Sequence, residues 1–267
     1  MNSLPTSLVS RSPSPHISRG RAAGLALSLL ASTLGCQNSQ KETSAPEPPP
    51  ESSREALNAS PSPPKNAPTE PPRQKQFEDT AEASLGTLPQ GIGLRPGSRA
   101  PSLRGTTSDG KSLTLAELLT SRRVLLVFYR GGWCPYCNFQ VRELTQRYPD
   151  FEKLGIEPVV VSVDQVSEAA KTNAAYTIPF PVVSDPELAW HEAFRVTTEV
   201  PQARVEAMKS KHDIDLEARS GKSHHTIAIP SIFLIEKDGK VSFAHADENY
   251  QTRPRAQSLL DALEKLP

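Results

Sequence analysis

Two of the chain's three cysteines stand in the stretch Trp133-Cys134-Pro135-Tyr136-Cys137. The run 124–129 before them is short, apolar and rich in β-formers, which predicts a core strand. Residues 140–149 after them carry apolar side chains at helical spacing, with Pro149 near the end, which predicts a helix. A cysteine at a helix N-terminus faces free backbone N–H groups and the positive end of the dipole, and both favour the thiolate. Its partner three residues on lies one turn away, near enough for a reversible disulfide. The chemistry within reach is thiol redox chemistry, with Trp133, Pro135 and Tyr136 shaping the loop around Cys134 and Cys137.

From about residue 93 onward, short apolar strands alternate with amphipathic helices. Strands are expected at 124–130, 157–163, 179–183, 231–237 and 241–246, and helices at 134–151, 165–174, 187–194 and 254–266. Asp238-Gly239 between the last two strands is a hairpin signal. Strands that alternate with helices and end in a hairpin and a last helix imply an α/β sandwich with a mixed central sheet.

The N-terminal third has a different texture. Residues 22–35 form one apolar run preceded by Arg11, Arg19 and Arg21. It is too short to span a bilayer comfortably and has the character of a secretory h-region. The run stops at Gly35-Cys36, an arrangement similar to a bacterial lipoprotein signal, in which Cys36 takes a lipid anchor. Thr33 and Leu34 depart from the usual pattern before that cysteine. An ordinary signal peptide with Cys36 incidental is the alternative. Residues 36–85 are rich in Pro, Ser, Glu and Lys and are expected to be a disordered tether. The domain plan is therefore a signal segment at 1–35, a linker at 36–85 and a folded domain at 86–267. The location implied is the cell envelope, on the periplasmic side, with the membrane a partner through the lipid. Lys plus Arg and Asp plus Glu each number 30, and no basic stripe is interleaved with aromatics, so nucleic acid is not an expected partner.

The order of elements, with the cysteines after the first core strand, resembles the thioredoxin fold: an α/β three-layer sandwich with a mixed central sheet. More narrowly it resembles the peroxiredoxin-like branch, the alkyl hydroperoxide reductase/thiol-specific antioxidant family. The stretches that carry the resemblance are 97–101, 109–111, 113–118, 124–137, 159–164, 180–185, 229–235, Asp238-Gly239, His245 and Tyr250-x-x-Arg253.

The family attacks peroxide with one cysteine in a Pro-x-x-x-Thr-x-x-Cys loop, assisted by a distant arginine. Laid on this chain, Cys137 takes the peroxidatic position, Cys134 replaces the threonine and Arg130 the proline. Pro230 stands where the distant arginine belongs. Arg130 or Arg253 could supply the charge instead, although Arg253 reads by itself as a surface or helix-start residue. Trp-Cys-x-x-Cys with a proline opening the facing strand is also the thioredoxin arrangement, in which that proline, here Pro230, is cis. That reading makes Cys134 the exposed attacking thiolate and Cys137 the more buried resolving thiol. Thioredoxins bury an acid six residues before the first cysteine, and Phe128 stands there.

The leading expectation is a thiol–disulfide oxidoreductase acting on a protein or small-molecule disulfide, with an unidentified thiol donor or acceptor and no cofactor. The alternative is a thiol peroxidase with Cys137 peroxidatic and Cys134 resolving. A third reading is a copper chaperone using both thiols and one of His224, His225 and His245. One CxxC is half of a four-ligand zinc site, and no second is present, so no metal is expected. Asn138 after Cys137 removes the pattern for covalent haem. Cys-Pro-Tyr-Cys also occurs in glutaredoxins, but about 90 residues separate Cys137 from Pro230, more than such domains hold.

Overall fold

A computed structural model describes residues 75–266. The signal-like run, Cys36 and the linker up to residue 74 lie outside the described residues. The described chain begins with a two-residue strand, β1 (Glu78–Asp79), and a 3₁₀ turn at Glu82–Ser84. There follow the hairpin β2 (Arg104–Thr107) and β3 (Ser112–Thr114), helix α1 (Leu115–Leu119) and the core strand β4 (Arg123–Phe128). Next come α2 (Pro135–Gln146), α3 (Tyr148–Lys153), β5 (Ile156–Ser162), α4 (Val166–Tyr176), β6 (Val182–Ser184) and α5 (Ala189–Ala193). The last part holds β7 (Thr197–Glu199), α6 (Gln202–His212), α7 (Leu216–Ser220), β8 (Thr226–Ala228), β9 (Ser231–Ile235), β10 (Val241–Ala246), β11 (Thr252–Arg253) and α8 (Ala256–Glu264).

Seven strands form the central sheet in the order β10-β9-β4-β5-β6-β2-β3. β4, β5 and β6 run parallel, while β9, β10, β2 and β3 are antiparallel to their neighbours, so the sheet is mixed as expected. Every side chain from Val124 to Phe128 is buried, because both faces of the sheet are covered. Strand alternation divides them. Leu125 and Val127 join Val141, Leu144, Leu259 and Leu263 under α2 and α8. Val124, Leu126 and Phe128 join Leu115, Trp190 and Phe194 under α1 and α5. The result is the thioredoxin-like three-layer sandwich. Truncating Leu125 or Leu126 to alanine removes a fully buried side chain from such a layer, at a cost of roughly 2–5 kcal/mol.

Three departures from the sequence expectation concern the elements, and the first two have local causes. The helix expected at 134–151 is two helices broken at Arg147. Pro149 sits in the first turn of α3, where its missing N–H costs nothing, and so starts a helix rather than ending one. The strand expected at 179–183 is only Val182–Ser184, since Pro179 and Pro181 cannot donate to a ladder. Residues 195–230, given no elements from sequence, hold α6, α7 and the β7–β8 pair.

The tether expected to run to residue 85 gives way earlier. Phe77 is buried and sets its ring edge-on to Phe139. β1 pairs in parallel with β11, with Asp79 opposite Arg253. Residues 75–85 are thus part of the domain.

Candidate active site

The loop 129–134 leaves the C-terminal end of β4 and enters α2 at Cys134, which is the N-cap, with Pro135 at the first helical position. Gly131 and Gly132 make this path possible. At Gly131 (φ 140°) a Cβ would collide with the Trp133 indole and lie 2.7 Å from Asp164 Oδ1. A Cβ on Gly132 would strike the Thr172 hydroxyl. The loop is tied down on two sides: Gly132 N–H donates to Asp164 Oδ2 at 2.7 Å, and Asn138 Nδ2 donates to the Gly132 carbonyl at 2.9 Å.

Cys134 and Cys137 are both free thiols, and both are 0% exposed. The expectation of an exposed Cys134 is therefore corrected: ring and helix packing encloses the first cysteine as fully as the second. Arg253, expected at the surface, is also corrected, for it is 1% exposed. Its guanidinium donates from Nη2 to Cys137 Sγ at 3.3 Å, from Nη1 to Gln140 Oε1 at 2.8 Å and from Nε to the Tyr250 carbonyl at 3.1 Å. Arg130 is 7% exposed and lies between two rings, its Cζ 5.0 Å from the Trp133 centroid and 4.2 Å from that of Tyr250.

These neighbours split the two thiols. Burial pushes Cys137 up, but a hydrogen bond from Cys134, the charges of Arg253 and Arg130 and a backbone hydrogen bond from Arg130 outweigh it and bring the thiol down to about 5. Burial, then the hydrogen bond and charge of Cys137, hold Cys134 well above the usual thiol range. The arrangement therefore holds one proton on Cys134 and one negative charge on Cys137.

Asp164, two residues beyond β5, is a buried acid that holds the loop through Gly132. It is 1% exposed; Ser162 Oγ donates to its Oδ2 at 3.1 Å, and its Oδ1 has no hydrogen-bond partner. Burial lifts its carboxyl to about 7 against the pull of the Gly132 and Ser162 hydrogen bonds. A cleft of about 960 Å³ opens against Arg130, Trp133, Cys134, Tyr136 and Asp164, with α6 as its far wall. The sequence signals for these residues were weak. Asp164 shows only as the end of the stretch 159–164 that carries the family resemblance, and Arg253 only as part of Tyr250-x-x-Arg253.

The other predicted residues fall as follows. Pro230 is buried and precedes Ser231, whose strand position pairs with Phe128, so it borders the active loop; its carbonyl accepts from Asp247 N–H at 3.2 Å. Tyr136 is buried with its ring 5.5 Å from that of Tyr250. The three histidines are not brought to the thiols as a set: His224 contacts the Pro186 carbonyl, His225 pairs with Glu217, and His245 is buried in β10. Among the described residues no group of three or more His, Cys, Asp or Glu side chains is placed to hold a metal ion, and no helix is long and apolar enough to cross a membrane.

Comparisons with known proteins support a thioredoxin-fold redox protein. A Mycobacterium tuberculosis protein that carries a peroxiredoxin name is 32% identical over 151 residues, 57% of this chain and 84% of its own length. The thiol-disulfide oxidoreductase ResA of Bacillus thuringiensis subsp. konkukian is 26% identical over 146 residues, 54% of this chain and 66% of its own. Among solved structures, the peroxidoxin BcpB of Mycobacterium tuberculosis superposes with a TM-score of 0.51 at 17% identity, covering 66% of this chain and 99% of that one. A peroxiredoxin 6 of Arenicola marina gives 0.51 at 14% identity, over 64% of this chain and 73% of that one. These structures share the fold. The family model for AhpC/TSA matches residues 96–244, more than half of the chain, and the protein is therefore a thioredoxin-fold oxidoreductase that belongs to the AhpC/TSA family.

Proposed function

We propose that this oxidoreductase is a thiol peroxidase in which Cys137 attacks and Cys134 resolves. The observation that carries the reading is the buried Arg253 guanidinium on Cys137 Sγ, with Arg130 as a second cation. Where the family's distant arginine would stand, this chain has Pro230, and the charge comes instead from Arg253 and Arg130.

The steps balance as follows. The Cys137 thiolate attacks one peroxide oxygen; the S–O bond forms, the O–O bond breaks, and the other oxygen leaves as water or alcohol with the peroxide's own proton. The sulfenate gains a proton. Cys134 sulfur then attacks Cys137 sulfur, the S–S bond forms, the S–O bond breaks and water leaves. An external dithiol returns two electrons by exchange. Loss of the thiolate helps the second step. The Cys137 charge that held the Cys134 proton is gone, while Arg253 and Arg130 still favour a Cys134 thiolate.

Disulfide exchange led by Cys134 is the other reading, and the ResA relative supports it. Enclosure of both sulfurs and the proton held on Cys134 weigh against a first attack on a bulky protein disulfide. The apolar run ending at Gly35-Cys36 and the Pro-rich segment after it support a lipid-anchored enzyme of the cell envelope.

The test is the rate at which the pre-reduced full chain reacts with hydrogen peroxide, with the oxidised sulfur located by mass spectrometry. Fast formation of a sulfenic acid on Cys137 is expected. Slow oxidation beside rapid exchange through Cys134 would hand the function to disulfide exchange.

A further inference from the structure

The cleft beside the thiols carries more positive charge than the thiolate needs. Arg130 is buried, yet among the described residues it has no carboxylate partner and rests on ring faces instead. The anion beside it is the Cys137 thiolate, which Arg253 also faces, so two buried cations share one negative charge and the site favours a further anion. Further out, α6 turns one stripe toward the cleft: Arg204, Met208 and Lys211, at i, i+4 and i+7, with Ala203 and Ala207 alongside. Arg204 stands over the outer side of the Tyr250 ring at 5.9 Å, and neither it nor Lys211 has an ion-pair partner among the described residues.

The acids lining the cleft do not cancel this charge. Glu168 is taken up by Lys171 at 2.5 Å and by Arg219. Asp164 is buried with its carboxyl lifted to about 7. Asp213, the exposed C-cap of α6, keeps its charge at the Lys211 end of the cleft and leaves the Arg204 end positive. What remains open is a wall with an apolar middle, Ala207 and Met208, between two free cations whose backbones are about 10 Å apart along the helix.

We infer that this cleft is a carboxylate subsite and that the preferred oxidising substrate is an organic hydroperoxide bearing a carboxylate on an apolar stem. The acid would pair with Arg204 or Lys211, the stem would lie on Ala207, Met208 and the Trp133 and Tyr250 rings, and the peroxide group would reach the thiols past Arg130. The inference rests on the peroxidase reading and adds the substrate class to it. Hydrogen peroxide has neither stem nor charge and would gain nothing from the subsite.

The experiment uses the pre-reduced full chain at low ionic strength and three oxidants: hydrogen peroxide, cumene hydroperoxide and its para-carboxylate. Rates are measured for the natural protein and for the Arg204→Glu/Lys211→Glu variant, each divided by the same protein's rate with hydrogen peroxide so that a general loss cancels. The carboxylate is expected to react on the order of tenfold faster than its neutral parent. That preference should shrink with added salt and vanish or invert in the variant. Equal rates for the two organic hydroperoxides in the natural protein would overturn the inference, as would a preference that survives the double charge reversal. In both cases a fast hydrogen peroxide reaction leaves the peroxidase reading standing. No oxidation of Cys137 by any of the three would remove that reading and the substrate class together.

Discussion

Arg253 places Nη2 3.3 Å from Cys137 Sγ across 116 residues of sequence, and its charge joins the hydrogen bond from Cys134 and the charge of Arg130 in lowering that thiol against burial. Gln140 and the Tyr250 carbonyl hold the other faces of the guanidinium, so it is aimed at the sulfur before any substrate arrives. A fixed cation beside a developing or resident negative charge needs no reorganisation during the reaction.

Replacing this cation should raise the Cys137 thiol from about 5 toward the ordinary thiol range and slow peroxide attack. Because the thiolate is the reactive form, the rate should rise with pH through the new, higher midpoint instead of being flat near neutrality. Arg253→Met is expected to lose on the order of 100-fold in rate near neutral pH, and Arg253→Lys less, since a lysine keeps the charge without the fork. Thiolate absorbance against pH, read beside stopped-flow rates, checks both. An unchanged thiolate midpoint in Arg253→Met would show that the arginine does not set it.

The fold was legible because its strands are apolar runs bounded by turns, and 124–129 with Asp238-Gly239 needs little context to interpret. The cysteine pair was legible for the same reason, since its residues are neighbours in sequence. What escaped were the residues whose role depends on pairing across the chain. Arg253 reads as a surface residue until β1 and Gln140 enclose it, and Asp164 reads as the end of the stretch 159–164 until Gly132 is set against it. The polar sequence of α6 carries no apolar face strong enough to announce a helix, so the cleft's far wall went unseen. Phe77 lies just beyond a proline-rich run whose composition masks the one aromatic that packs.

That last point bears on where the domain can be cut. Residues 75–85 look like the end of the tether, yet Glu78 N–H donates to the Gln251 carbonyl at 2.8 Å and Thr80 N–H to the Arg253 carbonyl at 3.0 Å. Asp79 also accepts from Arg255 N–H and from Ser258 Oγ, each at 2.9 Å. A chain reduced to 86–267 should therefore fold less stably and let Arg253 drift from the sulfur, while 75–267 should match the full chain. The expected readouts are an unfolding free energy lower by roughly 1–3 kcal/mol and a higher Cys137 thiol midpoint in the shorter form. Identical behaviour of the two truncations would show that β1 is not needed.

Asp164 makes stability depend on pH with a defined sign. Its carboxyl is lifted from 3.8 to about 7 in the folded chain, so folding favours its protonated form. That contribution is full below about pH 4, where the unfolded carboxyl is also protonated, and is lost as pH rises through about 7. Asp164→Asn cannot titrate and should keep its stability where the natural protein loses it. Between about pH 4 and pH 8 the difference should move in the variant's favour, with a ceiling of roughly 4 kcal/mol. Urea melts of both proteins across that range measure it, and parallel curves would mean that the carboxyl is not shifted.

Lipid attachment is testable without reference to the fold. If Cys36 is modified, the full chain expressed with its leader in a bacterium should partition into detergent and carry added mass on a residue-36 N-terminal peptide. Cys36→Ser should release it to the aqueous phase. An unmodified Cys36 in a membrane-free fraction would leave an ordinary signal or none.

The division of labour between the thiols predicts opposite outcomes for two single substitutions of the same kind. Cys137→Ser removes the sulfur that Arg253 faces, and the remaining Cys134 is fully buried without that hydrogen bond, so peroxide consumption should fall to the background of a free thiol. Cys134→Ser keeps Arg253 on Cys137 but removes the resolving sulfur. One turnover should then proceed and stop at a sulfenic acid that dimedone traps on Cys137. The trapped rate should be somewhat below that of the natural pair, because the hydrogen bond from Cys134 is one of the interactions that lower the Cys137 thiol, and a serine hydroxyl replaces it only in part. A Cys134→Ser protein that forms no sulfenic acid while Cys137→Ser still exchanges with disulfides would reverse the roles, with Cys134 leading and Cys137 resolving.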